Sequence, residues 1–109
     1  MAFDEALAGR IRKQLAGRKD INEMKLFGGV GFMLNGNMCV GVSKQSMIVR
    51  LDPADCAEAL REPHVTQFEV GGRGMKGWLL VASAGLAGES ELKAWLDRAI
   101  QFVGKLPAK

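Results

Sequence analysis

Ligands for metals are scarce in this chain of 109 residues: it has two cysteines, Cys39 and Cys56, and one histidine, His64. Two thiols are too few for a disulfide framework, and no CxxC or Cys/His ligand spacing occurs, so neither a metal nor a cofactor is expected. No apolar run approaches the roughly 20 residues of a membrane span. The N-terminus is charged from Asp4 onward and lacks the apolar core of a signal peptide. No membrane role is expected, and the expected compartment is the reducing cytoplasm. GGVG and GGRG are too short for a phosphate cradle and match neither GxxxxGK[ST] nor a GxGxxG that opens a helix. No linker, repeat or low-complexity tract divides the chain, and its length bounds it to one domain. The net charge of +3 is mild; it permits nucleic-acid contact without arguing for it, because readers of nucleic acid concentrate their charge.

What the chain does have is glycine in unusual places. Lys25 to Val42 reads KLFGGVGFMLNGNMCVGV, with five glycines among bulky apolar residues, and Gly72 to Trp78 reads GRGMKGW, with three. Glycine inside a strand costs stability, so it marks a bulge, a positive φ or a close backbone approach. A sharply bent hairpin with no ligand explains both runs; a contact surface is the alternative.

Phe3, Leu7, Ile11 and Leu15 recur every four residues and predict an amphipathic helix over 3–17, stopped near Gly17, with Asp4 and Glu5 in its first turn. From Met24 the pattern becomes strand. Residues 24–34 form one bent strand or two short ones, broken around Gly28–Gly29. Asn35-Gly36 predicts a tight hairpin, because a type I′ turn needs positive φ at both central positions. Met38, Val40 and Val42 are expected on one face of the next strand, with Cys39 and Gly41 on the other. Met47, Val49 and Leu51 alternate with Ile48 and Arg50. Asp52-Pro53 opens a short helix ended by Pro63. Strands follow at 65–70 and 77–82, with a GGRG loop between them, and a long amphipathic helix at 90–104. The order predicts an α+β domain: a two-layer sandwich, α-β(3)-α-β(2)-α, with an antiparallel sheet and the helices on one face.

No constellation makes a convincing active site. Cys39 reads as a buried structural thiol and His64 as a surface or edge residue, which leaves no Cys/His pair. Asp52 and Asp55 are explained by capping. Glu69 and Arg73 can pair across their loop, a contact of little energetic worth. Met33, Met38 and Met47 are expected to fill the core, as are Trp78 and Trp95, whereas Met75 suits a partner surface. The densest basic cluster is Arg10, Arg12, Lys13, Arg18, Lys19 and Lys25. Between Met1 and Lys25 it is opposed by Asp4, Glu5, Asp20 and Glu23, a net of +2. A solvated helix face accounts for that.

The strings MKLFGGVGFMLNGNMCVGV, IVRL, FEVGGRGMKGWLLV and ELKAWLDRAIQF, with the opening FDEALAGRIRKQL, resemble the TfoX N-terminal domain of the TfoX/Sxy competence regulators. The resemblance implies a secretion-chaperone-like two-layer fold and a link to transcription regulation in natural competence, alongside the cyclic-AMP receptor protein. Full-length members of that type carry a second, C-terminal helical domain, for which this chain leaves no room, so a stand-alone domain is expected. The family offers no catalytic residues to carry over. The leading expectation is a non-enzymatic regulatory or adaptor module that binds a protein partner, possibly of the transcription machinery. Its candidate contact residues are Lys25, Gly28, Gly29, Arg50, Gly72, Arg73, Met75 and Lys76. The alternatives are a nucleic-acid-binding domain using Arg10, Arg12, Lys13 and Arg18, and a small enzyme or ligand-binding domain. A homodimer is a further expectation, since a sheet covered on one side leaves a face or edge to bury.

Overall fold

The computed structural model describes residues 4–26 and 29–108. Phe3, Phe27 and Gly28, on which parts of the sequence reading rest, lie outside them. Helix α1 spans Glu5–Gln14, shorter than the predicted 3–17. Asp4 is its N-cap, and its Oδ1 accepts the backbone N–H of Leu7 at 3.0 Å. The chain leaves the helix through Gly17 at φ +91°, a left-handed conformation that glycine adopts without penalty.

Six strands follow: β1 Ile21–Leu26, β2 Gly29–Leu34, β3 Asn37–Ser43, β4 Ser46–Arg50, β5 Val65–Val70 and β6 Arg73–Ala82. Helix α2, Pro53–Ala59, separates β4 from β5, and α3, Glu89–Val103, closes the chain after a 3₁₀ turn at Ser83–Leu86. The α+β class and the antiparallel sheet stand as predicted. The first meander has four strands rather than three, because residues 21–34 form two paired strands in which Met24 sits opposite Gly31. The sheet order is β1-β2-β3-β4-β6-β5, every neighbour antiparallel. Asn35 and Gly36, at φ +52° and +85°, make the expected hairpin turn. Gly71 and Gly72, at +60° and +80°, make a second one, so the predicted GGRG loop shrinks to two residues and β6 begins at Arg73 rather than Gly77.

One face of the sheet carries the core. Phe32, Leu34, Val40, Val42, Met47, Val49, Leu79 and Val81 pack with Leu7 and Ile11 of α1, Ala59 of α2 and Leu92, Leu96 and Ala99 of α3 in a single buried cluster. Burying each large apolar side chain stabilises the fold by about 1.5–3 kcal/mol before conformational entropy is subtracted. Asn37, a buried polar residue, is satisfied at the edge of this layer by donating from Nδ2 to the Pro107 carbonyl at 2.9 Å.

The predicted alternation of β3 fails at one point, and the reason is a bulge. Phe32 pairs with Val40 and Met33 with Met38, so Cys39 is the extra residue. Two consecutive side chains, Cys39 and Val40, therefore enter the core, while Met38 points to the other face. Ile48 is 7% exposed yet lies outside the core cluster, as its pairing with Gly41 and Leu80 requires. Trp78 and Met38, expected in the core, are half-buried on that second face; Met33, half-buried and paired with Met38, goes with them. Met47 and Trp95 are core residues as predicted.

Candidate functional site

The second face carries no helix among the described residues, and its strands are thinned by glycine. Gly31 pairs with Gly41, and Gly41 with Ile48. A Cβ at Gly29 would run into the carbonyl oxygen of Val42, and one at Gly41 would lie 2.7 Å from the Met38 methyl and 2.9 Å from the Val30 carbonyl. Gly29 and Gly41 are there for close approach: they lower the floor of this face and let Met38 lie across it.

The wall is built by the second motif. Gln67 pairs with Leu79 and Glu69 with Gly74, so Phe68 alone opposes the four residues Met75–Trp78. This wide bulge is held by the Gln67 side-chain amide, which donates to the carbonyls of Met75 at 2.6 Å and Trp78 at 3.0 Å. Gly74 makes room for it, since a Cβ there would sit 3.2 Å from Gln67 Cγ. Gly77, at φ +84° and buried, closes the bulge against α2, with Leu51 N–H donating to its carbonyl at 2.8 Å. The result re-aims the hairpin. Phe68, Val70, Met75 and Trp78 line the same groove as Gly29, Met38, Ser43 and Ile48, a volume of about 490 Å³. That is within the range of ligand and peptide sites. Val70 and Met75 are 55% and 38% exposed, so two large apolar side chains face solvent at its lip.

Arg50 stands at the Trp78 end. Its guanidinium lies 5.0 Å from the centre of the Trp78 ring, a stacking distance for a cation over an aromatic face. Its hydrogen bond is a long one, Nη1 to the Met38 carbonyl at 3.5 Å. Among the described residues it has no carboxylate partner, and neither do Lys25, Arg73 and Lys76. Arg73 shares a side of the hairpin with Val70, to which it is paired, and makes no ion pair with Glu69.

The candidate contact residues thus divide. Gly29 and Met75 meet in the groove, and Arg50 adjoins it. Gly72, Arg73 and Lys76 are exposed on the hairpin that forms its wall. Lys25 is exposed and pairs with Val30, whose side chain is in the core, which puts Lys25 on the helix side. Gly28 falls outside the described residues. Two residues that shape the groove had no sequence signal of their own: Gln67, whose type does not announce that it bridges a bulge, and Ile48, whose alternation with Met47 and Val49 does not show that neighbours would cover it.

The basic cluster of the first helix is differently placed. Arg12 makes two 2.7 Å bonds to Glu23, Arg10 reaches Glu89 at 2.8 Å and the Leu86 carbonyl at 2.7 Å, and Arg18 pairs with Asp20 at 2.9 Å. The hydrogen bond and charge of Arg12 lower the Glu23 carboxyl pKa, and Glu23 raises that of Arg12 in return. Gln14 and then Arg10 lower that of Glu89. Three of the four candidate phosphate-binding residues are already engaged by carboxylates, leaving Lys13.

The thiols are held neutral. Burial pushes Cys39 up to about 12, and burial also raises Cys56. Two strands, β4 and β6, stand between Cys39 on β3 and the start of β5, where His64 lies exposed. At about 4.8 Å per strand, that separates them by roughly 14 Å. Asp52 caps α2, accepting the Ala54 N–H at 2.9 Å. Among the described residues no group of three or more His, Cys, Asp or Glu could hold a metal ion, and no helix is long and apolar enough to cross a membrane.

No curated protein and no solved structure matches the chain. The match to a family spans residues 13–103, from the last two residues of α1 to the end of α3, and so takes in both glycine motifs and the groove they build. The chain belongs to the TfoX N-terminal domain family.

Proposed function

We propose that this domain is a non-enzymatic regulatory adaptor that docks a protein partner on the helix-free face of its sheet, in the service of transcription regulation. Family membership supplies the regulatory context, since the family is of regulatory rather than enzymatic type. The observation that carries the docking reading is the groove itself. Two glycine motifs far apart in sequence, which weaken the strands they occupy, converge on one apolar trough with exposed Met75 and Val70 at its lip. Methionine-rich surfaces adapt to their partners.

The test is an affinity capture from native lysate with and without nuclease, using Arg73→Ala and Met75→Ala as controls. The expected result is a defined protein, a component of the transcription apparatus, retained after nuclease and lost from both variants while their folds persist. Equal capture by both variants refutes the surface, and capture abolished by nuclease refutes a direct protein contact.

A further inference from the structure

The distribution of charge specifies what the groove accepts. All five ion pairs among the described residues involve α1, α3 or the loop after α1: Arg10–Glu89, Arg12–Glu23, Arg18–Asp20, Lys93–Asp97 and Arg98–Glu62. Around the groove the balance is different. Arg50, Arg73 and Lys76 have no carboxylate partner among the described residues, and Glu69 is the one acid in the lining. Arg50 is the least explained of them. It is half-buried and stacked on Trp78, yet its one hydrogen bond, to the Met38 carbonyl, is 3.5 Å long. A guanidinium carries five N–H donors in a fixed fork that matches a carboxylate. Its place over the Trp78 ring holds it beforehand, so less side-chain freedom remains to be lost on binding.

We infer that the groove takes an acidic apolar segment of a partner protein, with apolar side chains seated among Met38, Ile48, Met75 and Trp78 and a carboxylate held by Arg50. The inference rests on the docking reading and adds the chemistry of the partner. A second copy of this chain is a poor occupant, because a two-fold contact sets the same patch on both sides and would bring the cluster Arg50, Arg73 and Lys76 toward a second copy of the same cluster.

The experiment is selection of a displayed random peptide library on the immobilised protein, followed by affinity measurement of the selected peptides on the native chain, Arg50→Gln, Arg50→Lys and Met75→Asp, each variant checked by circular dichroism. Arg50→Lys keeps the charge but not the planar fork, so it separates loss of recognition from loss of fold. The expected outcome is peptides that combine large apolar residues with Asp or Glu. Their binding weakens about tenfold or more in Arg50→Gln, the scale of one charge-assisted hydrogen bond. It weakens by a smaller factor in Arg50→Lys, is lost in Met75→Asp and falls with added salt. Neutral or basic apolar peptides, indifferent to Arg50→Gln but lost in Met75→Asp, overturn this inference and leave the docking face standing. No selected peptide, or peptides indifferent to both positions, overturns the docking face as well. A chain that sediments as a dimer, and as a monomer in Met75→Asp, overturns the inference by giving the groove to a second copy.

Discussion

The two faces of this sheet are made from the same strands and follow opposite rules. The helix side is filled with large aliphatic and aromatic side chains, several with no exposed surface, and its rim is laced with ion pairs. The other side has glycine where packing would place a large residue, methionine and tryptophan half-exposed, and cations that have no carboxylate partner among the described residues. Stability is concentrated on the first face. The second gives up stability for shape, which is the expected signature of a contact surface.

The comparison breaks most severely if the core is not where the stability lies. Phe32→Ala should cost about 3–5 kcal/mol, whereas Met75→Ala at the groove lip should cost less than about 0.5 kcal/mol; urea unfolding of both variants checks the contrast. Next in size are the glycines. Gly29→Ala drives a Cβ into the Val42 carbonyl, and Gly77→Ala adds a side chain at φ +84°, 3.1 Å from the Leu51 carbonyl. Each should destabilise by about 1–3 kcal/mol, and Gly77→Ala should also disturb Trp78 fluorescence by shifting the bulge. Then comes Asp4→Ala, which leaves the Leu7 N–H without its cap and should cost about 1 kcal/mol by thermal unfolding.

Near neutral pH titration gives the smallest effects, and each has a clear sign. The Glu23 carboxyl has a lowered pKa in the fold, so its contribution is present above the unfolded value near 4.3 and is lost as the pH falls through the lower folded value. Both partners are more than a third exposed, which holds that contribution to about 0–1 kcal/mol and makes it salt-sensitive. Cys39 runs the other way. Its thiol is raised to about 12, so its contribution is whole below the unfolded value near 8.5 and declines as pH rises above it. A thiol reagent at pH 8 should therefore label Cys39 only at the rate of unfolding; rapid labelling of the native protein would place Cys39 outside the core.

Much of this was legible in the sequence because local rules and tertiary demands agree. The four-residue spacing of Leu7, Ile11 and Leu15, the Asn35-Gly36 turn, the Asp52-Pro53 helix start and the strand at 65–70 all stand. What escaped depends on contacts distant in sequence. The bulge at Cys39 exchanges the expected faces of Met38 and Cys39 while Val40 and Val42 keep theirs, and strict alternation has no means of anticipating an extra residue. The length of β6 was hidden because GGRG, Gly71–Gly74, reads as a loop with the strand starting only at Gly77, although Arg73–Lys76 here belong to a bulged strand. Trp78 read as core on size alone, and only the register with Arg50 puts it on the open face. The candidate site was half legible: the two glycine motifs mark segments that line the groove, but that they share it follows from the bulge of the β5–β6 hairpin, which Gln67 holds.

The account stands or falls on which face meets the partner. A photo-crosslinking amino acid placed at Met75, on the groove, and separately at Glu58, exposed on α2, compares the two sides in the living cell. The account predicts a discrete, nuclease-resistant protein adduct from position 75 and none from position 58. An adduct from position 58 with none from position 75 would contradict it.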